Sequence, residues 1–458
     1  MCPHFFFLEE FGDQSKKRQP TAGQQLDWER GREFEASVVR SIEGVHEPEW
    51  DGQDFQHGLK ATVALMEKGV PWIHGGVLVG SGVGGIPDLL RRDFGKSCFG
   101  DFTYIPIEIK GHKAVQKKDV LQVSAYARIL DEILGEPCRD AGVWLNTGKI
   151  AAVDLAKGRS SLQGVLRQIE AVRREKGGTE PIWCSACPAC PWLAHCKQEW
   201  KRLGHLSLLP NGGKGTVGKL SGIGIRTVSE LAKANPDEVA HTAKMATATA
   251  LSLWYHARAR IEGRPLPVKD VEFPEGVPIV FYDIETFGGE TFLHGLIRVD
   301  GASREEHFFF ADSLAQTGTA WRQFLEFVAR DENGVVYCWA DYERGCAEKS
   351  WARFGGDKKA YGSFMRRLTD QCAWTKKHFA FPTRGYSIKE VAPALGFHWK
   401  AEDAGGLNCE AWYGEWLRSG DMELKRKILE YNKDDVLAME VIFNHLRRIT
   451  GEPNGKSV

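Results

Sequence analysis

The sequence has no long apolar run and almost no net charge. Of its 458 residues, 42% are hydrophobic and 26% are charged, and 60 basic residues face 61 acidic ones. No stretch reaches the roughly 20 apolar residues that a membrane-spanning helix needs, so we expect no membrane association. The apolar run at residues 5–8 is too short for a secretory signal and is followed by Glu9 and Glu10. We therefore expect an intracellular, cytoplasmic protein.

The net charge of −1 excludes a nucleic-acid binder whose whole surface is basic. It does not exclude a nuclease, because metal sites are acidic and basic residues act locally. One such local cluster, without an acid among its members, comprises Lys110, Lys113, Lys117 and Lys118. The length predicts two or three domains, since one core rarely grows to this size.

Cysteine is sparse outside one short segment. Four of the 11 cysteines lie in residues 183–200, at Cys184, Cys187, Cys190 and Cys196. Thiolates this close in sequence fit either a tetrahedral zinc site or an iron–sulfur cluster, and spacing alone leaves both open. Disulfides are disfavoured, because the other cysteines are scattered and no secretory signal is present.

Hydrophobic periodicity predicts the elements of the N-terminal half. Apolar stripes predict helices over residues 24–40, 57–68 and 115–134. Runs rich in β-branched and aromatic residues predict strands over residues 72–80 and 104–111.

Two acids and a lysine lie on or beside these predicted strands. Successive strand side chains alternate faces, so Glu108 and Lys110 share one face, while Ile107 and Ile109 face the core. Asp88 and Glu108 can bind Mg²⁺ or Mn²⁺, and Lys110 can position a metal-activated water. A surface ion pair on an edge strand is the simpler alternative.

The helix that follows carries Gln122 and Tyr126 one turn apart. This order of acid, E-x-K and Q-x3-Y resembles the RecB-like branch of the PD-(D/E)XK nucleases. The resemblance covers residues 1–203 and implies a restriction-endonuclease-like α/β domain. In the family, one early cysteine and a late C-x2-C-x5-C trio hold a [4Fe–4S] cluster. The resemblance assigns that role to the following residues: Cys2, Cys187, Cys190 and Cys196.

The chain departs from that family at two places. Cys184 is an extra thiol that could replace Cys2 as the fourth ligand. The family also carries a metal-binding histidine on the first helix, where this chain has Phe34, which cannot bind metal. Glu35 points about 100° away around the helix and is a poor substitute. This predicts a weakened or inactive first metal site.

Residues 204–265 form a helical linker domain in this interpretation. Two short predicted helices flank Gly222-Ile-Gly224, with Lys219 and Arg226 nearby. The pattern resembles a helix-hairpin-helix element, which binds the DNA backbone without reading sequence, through amides that hold phosphate. A plain helical linker with a glycine turn fits equally well.

Residues 276–450 predict an RNase H-like α/β domain. A buried strand ends in Asp283 and Glu285, which share one face, and two further strands continue it as a meander. A helix and a strand over residues 335–343 follow, and the remainder is predicted to be helical.

The last helix, over residues 422–449, carries Tyr431 and Asp435 one turn apart. D-x-E on a first strand with Y-x3-D on a late helix resembles the DEDD exonucleases of the tyrosine subtype. That resemblance implies that Asp283, Glu285 and Asp435 bind two metal ions and that Tyr431 orients the attacking water.

The DEDD pattern needs one more acid after the middle strand. Glu343 fits the expected spacing best, and Asp341 and Asp370 are the alternatives.

The whole arrangement resembles the stand-alone RecB-like nucleases with a C-terminal RNase H-like domain. It implies a Mg²⁺- or Mn²⁺-dependent nuclease acting on DNA single strands or ends, with a second 3′–5′ exonuclease-like site. A nucleic-acid-binding scaffold with inactive sites and an RNA-processing exonuclease are the alternatives. DNA is favoured over RNA as the partner, together with a helicase or a repair or defence protein.

Overall fold

The computed structural model describes residues 2–80, 82–400 and 406–451. These residues form two compact units. The first comprises Met1–Gly12 and Gln24–Thr179, and the second comprises Asp13–Gly23 and Glu180–Val458. Within the described ranges, no helix combines the length and the apolar character needed to cross a membrane.

The first unit is built on a six-stranded mixed sheet. The strands of this unit are β1 (Val45–His46), β2 (Trp72–His74), β3 (Leu78–Gly80), β4 (Val83–Gly85), β5 (Leu89–Ser97), β6 (Gly100–Lys110), β7 (Gly142–Leu145) and β8 (Ile150–Ala152). The sheet order is β1-β2-β5-β6-β7-β8, and β3 and β4 form a separate antiparallel pair. β5 is antiparallel to β6, and β6 is parallel to β7.

Five helices belong to the described residues of the first unit. The helices are α1 (Pro3–Phe11), α2 (Ala22–Arg40), α3 (Phe55–Glu67), α4 (Lys117–Leu134) and α5 (Leu155–Glu175), and α4 packs against β6. The three helices predicted from periodicity are thus confirmed within two residues at each end. Ile107 and Ile109 are buried as expected, but Glu108 on the opposite face has no exposed surface either. The sequence pattern could not show this, because burial of the second face depends on tertiary packing.

In the second unit, the cysteine segment packs with the helices that follow it. These helices are α6 (Leu193–Leu203), α7 (Lys214–Ser221), α8 (Val228–Lys233), α9 (Pro236–Thr242) and α10 (Thr247–Glu262). Cys187, Trp200, Leu220 and Leu253 belong to one apolar core. The predicted glycine turn lies between α7 and α8, and Gly224 there has φ +86°, a conformation that favours glycine.

The remainder of the second unit contains a five-stranded sheet. The strands of this part are β9 (Leu266–Pro267), β10 (Ile279–Phe287), β11 (Glu290–Asp300), β12 (Ser303–Phe310), β13 (Val335–Cys338), β14 (Leu368–Asp370) and β15 (Phe379–Ala380), of which β9 and β15 form a separate pair. Its helices are α11 (Thr317–Val328), α12 (Tyr342–Phe354), α13 (Lys358–Arg367), α14 (Gln371–His378), α15 (Ile388–Val391), α16 (Gly406–Ser419) and α17 (Met422–Ile449). The sheet order is β12-β11-β10-β13-β14, with an antiparallel meander followed by two strands parallel to β10.

The meander and the last helix are confirmed, and two predictions are wrong. The strand predicted over residues 335–343 ends at Cys338, because the backbone turns at Ala340, which has φ +100°. Glu343 therefore lies on a helix. The stretch predicted to be helical after it also contains β14 and β15, and β15 pairs with β9. Both are too short to show a strand periodicity in the sequence.

Candidate active sites

Strand pairing in the first unit brings Asp88, Glu108 and Lys110 together. Asp88 directly precedes β5, and Glu108 and Lys110 end the neighbouring strand β6. The amide of Ile109 donates to Asp88 Oδ2 at 2.6 Å, and the Asp88 amide donates to Glu108 Oε1 at 3.3 Å. Lys110 Nζ lies 2.5 Å from Glu108 Oε2 and 3.5 Å from Asp88 Oδ2. The fold therefore places these three predicted site residues in one cluster.

Burial dominates the electrostatics of this cluster. Burial, and then the charge of Asp88, raises the pKa of Glu108 to about 7 against the opposing effect of Lys110. Burial also raises the pKa of Asp88. Burial by itself would lower the pKa of Lys110, but the two carboxylates together raise it. A bound divalent cation would stabilise the ionised form of these two adjacent, buried carboxylates.

Gln122 and Tyr126 lie on α4 as predicted and contact each other. Gln122 Nε2 donates to the Tyr126 hydroxyl oxygen at 3.2 Å, and that hydroxyl donates to the carbonyl of Ile86 at 3.3 Å. Burial raises the pKa of Tyr126, and the charges of Glu108 and Asp88 raise it further. Tyr126 is therefore within electrostatic reach of both acids.

Phe34 and Glu35 lie next to each other on α2 and have different surroundings. Phe34 packs against the apolar core of the first unit. Glu35 acts on the site electrostatically, because its charge raises the pKa of Asp88. Its Oε1 lies 2.9 Å from His74 Nε2, and Glu47 Oε1 lies 2.7 Å from His74 Nδ1.

His74 was missed by sequence reasoning. The hydrogen bonds to Glu35 and then Glu47 raise its pKa to about 9 against the effect of burial, so the imidazole is charged at neutral pH. A single histidine in a short strand has no motif that would single it out. The one available signal is that β2 runs beside β5, which follows Asp88.

The second unit brings Asp283, Glu285 and Asp435 together. β10 carries the first two on one face, and α17 carries the third. One carboxylate oxygen from each lies within 4.8 Å of the other two. In the described ranges of the chain, no other three potential metal ligands come this close.

Asn432 holds two of these acids in place. It is completely buried, its Nδ2 donates to Asp283 Oδ2 at 2.7 Å, and it also hydrogen-bonds Glu285. A Cβ at Gly295, which pairs with Asp283 across the sheet, would lie 1.7 Å from Asn432 Oδ1. Glycine is therefore required there for α17 to approach β11. Sequence reasoning missed Asn432, although its position three residues before Asp435 places both on one helix face.

A lysine that the sequence did not single out contacts the acid group. Lys389 Nζ forms an ion pair with Asp435 Oδ1 and lies 3.8 Å from the Trp399 ring centroid and 4.4 Å from that of Tyr431. Trp399 Nε1 donates to the same Asp435 oxygen at 2.7 Å. Burial lowers the pKa of Lys389, and the charges of Asp435, Asp283 and Glu285 oppose that change. No spacing in the sequence connects Lys389 or Trp399 to the acids.

The acids of this group repel one another in a buried environment. Burial, and then the charge of Asp435, raises the pKa of Glu285 to about 8. Burial likewise raises the pKa of Asp283 and of Asp435. Burial holds the pKa of Tyr431 far above its usual range, so its hydroxyl stays protonated and hydrogen-bonds Asp435. Three hard oxygen donors under mutual repulsion fit Mg²⁺ or Mn²⁺.

The three candidates for the remaining acid have different environments. Glu343 in the first turn of α12 is 4% exposed, and its Oε2 is buried without a hydrogen-bond partner. Burial raises the pKa of Glu343 to about 8, and its charge contributes to the raised pKa of Asp283. The Asp341 side chain is 70% exposed and pairs with an arginine on its own helix. Asp370 caps α14 by accepting from an amide of its first turn at 2.8 Å.

The clustered cysteines all lie in the second unit, whereas Cys2 precedes α1 in the first unit. Cys184 Sγ lies 3.7 Å from Cys187 Sγ, and the Cys184 amide donates to Cys187 Sγ at 3.3 Å. A tetrahedral zinc ion with Zn–S bonds of about 2.3 Å separates its sulfurs by about 3.8 Å. The thiolate donors fit zinc or an iron–sulfur cluster, and Cys184 is close enough to Cys187 to share a ligand set with it.

Comparison with known proteins concerns the C-terminal part of the chain. A family model of the RNase_H superfamily matches residues 280–447, which include β10, the whole five-stranded sheet around it and most of α17. This part of the chain is RNase H-like, and that superfamily commonly hydrolyses nucleic acids. No curated protein matches the chain.

Proposed function

We propose that the second unit hydrolyses phosphodiester bonds of nucleic acid as a metal-dependent 3′–5′ exonuclease. The observation that carries the proposal is the acid group Asp283, Glu285 and Asp435, with ligand oxygens within 4.8 Å of one another inside an RNase H-like domain. Mg²⁺ or Mn²⁺ bound there would activate water and neutralise charge on the phosphate.

The chain's own groups have separate tasks in this proposal. Asn432 fixes the orientation of Asp283 and Glu285 through hydrogen bonds. The protonated Tyr431 hydroxyl is available to orient the attacking water. Lys389 supplies a positive charge beside Asp435, where negative charge on a transferred phosphate needs stabilisation.

Glu343 is the proposed fourth acid. A buried carboxyl oxygen without a partner costs free energy, and the charge of this group acts on Asp283. Asp341 faces solvent, and Asp370 is occupied by capping, so neither shares these properties.

The cluster of Asp88, Glu108 and Lys110 is proposed as a second hydrolytic site of the RecB-like PD-(D/E)XK type. The hydrogen bonds from the Asp88 amide and from Lys110 to Glu108 support it, as does the contact between Gln122 and Tyr126 on the neighbouring helix. Its two adjacent acids, Asp88 and Glu108, are one fewer than the three close carboxylates of the second unit. DNA cleavage is therefore proposed mainly for the second unit.

A [4Fe–4S] cluster at Cys2, Cys187, Cys190 and Cys196 remains a prediction from the sequence. Zinc held with Cys184 is the alternative, and the 3.7 Å separation of the Cys184 and Cys187 sulfurs favours it. In both cases the bound group would have a structural role, because the cysteine segment contributes to the apolar core around α6–α10.

The proposal is tested by incubating 5′-labelled single-stranded DNA with Mn²⁺ and the parent or the Asp283→Ala protein. A ladder that shortens by single nucleotides with the parent and is absent with the variant supports the second unit as the exonuclease. Tight binding without cleavage of DNA or RNA supports the scaffold alternative. Cleavage of RNA alone supports the RNA-processing alternative.

A further inference from the structure

A small basic cavity lies between the cysteine segment and the RNase H-like part of the second unit. Its volume is about 190 Å³, several times the roughly 30 Å³ that a liquid water occupies. Four basic residues line it, and Glu390 is the one acid among its lining residues. The basic residues are Lys197, Lys201, Arg260 and Arg384.

Arg384 forms no ion pair within 4.0 Å among the residues that the structure describes, and Glu390 acts on it only through its charge. Its guanidinium carbon lies 3.4 Å from the ring centroid of Trp183, and its buried Nε has no hydrogen-bond partner. Burial lowers the pKa of Arg384 to about 10, and the charges of Glu390 and Cys187 only partly oppose this. A guanidinium in this position is oriented by stacking while its hydrogen-bonding capacity is left unused.

Arg260 is a second partly buried guanidinium group that lines the cavity. Its guanidinium donates to the carbonyl of Pro382 at 2.5 Å, which is a neutral acceptor. Burial lowers the pKa of Arg260, and Glu390 is the carboxylate that opposes the change. Two partly buried guanidinium groups thus share one acid, while Lys197 and Lys201 add exposed positive charge at the edge.

We propose that this cavity binds a phosphate group of the nucleic-acid strand on which the second unit acts. Planar guanidinium groups match phosphate oxygens in pairs, and lysines add non-directional attraction. An incoming anion would use the free Nε of Arg384 and offset the excess positive charge. The proposal rests on the proposed function, because it takes the ligand to be the substrate strand.

The cavity lies beside the helical segment α6–α10, which indicates what phosphate binding there would do. Trp200 and Leu208 line it and belong to the same apolar core as the helices around Gly222-Ile-Gly224. A phosphate held there would anchor the strand to the helical segment rather than to the acids. Such a contact fixes the position of the strand without reading its sequence.

The test measures equilibrium binding of a fluorescent single-stranded oligonucleotide in EDTA at several salt concentrations. The variant is Lys197→Ala/Lys201→Ala, and Arg384→Lys separately removes the planar fork but keeps the charge. The matched control is Lys358→Ala/Lys377→Ala, which removes two exposed lysines of the same unit outside the cavity. The oligonucleotide is used with a 5′-hydroxyl and with a 5′-phosphate.

We expect the cavity variants to raise the Kd about tenfold and to reduce the salt slope by about 0.7 per lost phosphate contact, while the control matches the parent. If the variants lose affinity for both oligonucleotides, the cavity binds an internal phosphodiester. If they lose affinity only for the phosphorylated oligonucleotide, it binds a terminal phosphate. Equal Kd values and slopes for parent, control and all cavity variants overturn the proposal.

The two proposals fail in different ways. If the parent cleaves DNA with Mn²⁺ but the cavity variants bind like the control, the cavity proposal is wrong and the proposed function stands. If the variants bind more weakly but the parent cleaves nothing, the cavity binds nucleic acid and the exonuclease assignment is wrong.

Discussion

Lys389 Nζ and Asp435 Oδ1 form an ion pair inside the acid group of the second unit. The ammonium also lies over the rings of Trp399 and Tyr431, so three side chains meet at this one carboxylate. Without a divalent cation, Lys389 is the positive charge that offsets the repulsion among the acids.

Replacing Lys389 should therefore destabilise the metal-free protein. We expect Lys389→Met to lower the free energy of unfolding by about 2 kcal/mol at pH 7, because an acid loses its partner. Mn²⁺ should restore most of this loss. The measurement is urea denaturation in EDTA and with Mn²⁺. Lys400→Met is the control, since its side chain is 63% exposed. Equal midpoints for variant and control in EDTA would contradict the role of Lys389.

The raised pKa of Glu285 predicts how stability depends on pH. The folded protein binds this proton up to about pH 8, whereas the unfolded chain releases it near 4.5. The folded state thus holds more protons between these values, so stability without metal should fall as pH rises through this window. Glu285→Gln should flatten the slope of the urea midpoint against pH, and Glu326→Gln on an exposed position should not. A slope unchanged by Glu285→Gln would refute the assignment.

Variants of the three candidates for the fourth acid should differ in exonuclease rate and in stability. Glu343→Gln should lower the exonuclease rate by at least about 100-fold, as loss of a catalytic acid does. Asp341→Asn should leave the rate within about twofold. Asp370→Ala should lower stability by about 1 kcal/mol through the loss of the helix cap. Rates from a quenched time course and midpoints from thermal unfolding check this. A rate loss at Asp341 with none at Glu343 would reverse the assignment.

His74 should stabilise the first unit only while it is charged. Its folded pKa of about 9 lies above the model-peptide value of 6.5. The stabilisation is therefore complete below pH 6.5 and is lost as pH rises through about 9. His74→Gln should cost about 1–2 kcal/mol at pH 6 and little at pH 10. Urea denaturation at both values tests it, with His57→Gln as the control on an exposed histidine. A cost that does not change with pH would contradict the charged state.

The two assignments of the cysteine segment predict different metal and sulfide contents of the purified protein. If the sequence resemblance holds, anaerobically purified protein contains iron and acid-labile sulfide, and Cys2→Ser loses both. If Cys184 completes a zinc site, the protein contains one zinc ion and no sulfide, and Cys184→Ser lowers the zinc content while Cys2→Ser does not. Elemental analysis with a sulfide assay decides between these two results.

The sequence predicted the residues whose spacing follows the period of their own element. Asp283 and Glu285 alternate on a strand, and Tyr431 and Asp435 repeat on a helix, so local geometry was sufficient. The long helices and the meander followed from the same periodicities.

Contacts between residues that are far apart in the sequence could not be predicted from local periodicity. Lys389 and Trp399 reach Asp435 only because α15 and the segment after it pack against α17, and His74 meets Glu35 only through tertiary packing. Gly295 has no visible role in the sequence, since its purpose is the close approach of Asn432. Glu343 was assigned to a strand because the turn at Ala340 has no glycine or proline to mark it.

The most direct test of the central claim compares Asp283→Ala and Lys110→Ala on one gel, with labelled single-stranded DNA and Mn²⁺. The account predicts that Asp283→Ala abolishes stepwise shortening from the 3′ end and that Lys110→Ala leaves this ladder in place. Abolition by Lys110→Ala, with the ladder intact in Asp283→Ala, would contradict it and assign the nuclease activity to the first unit.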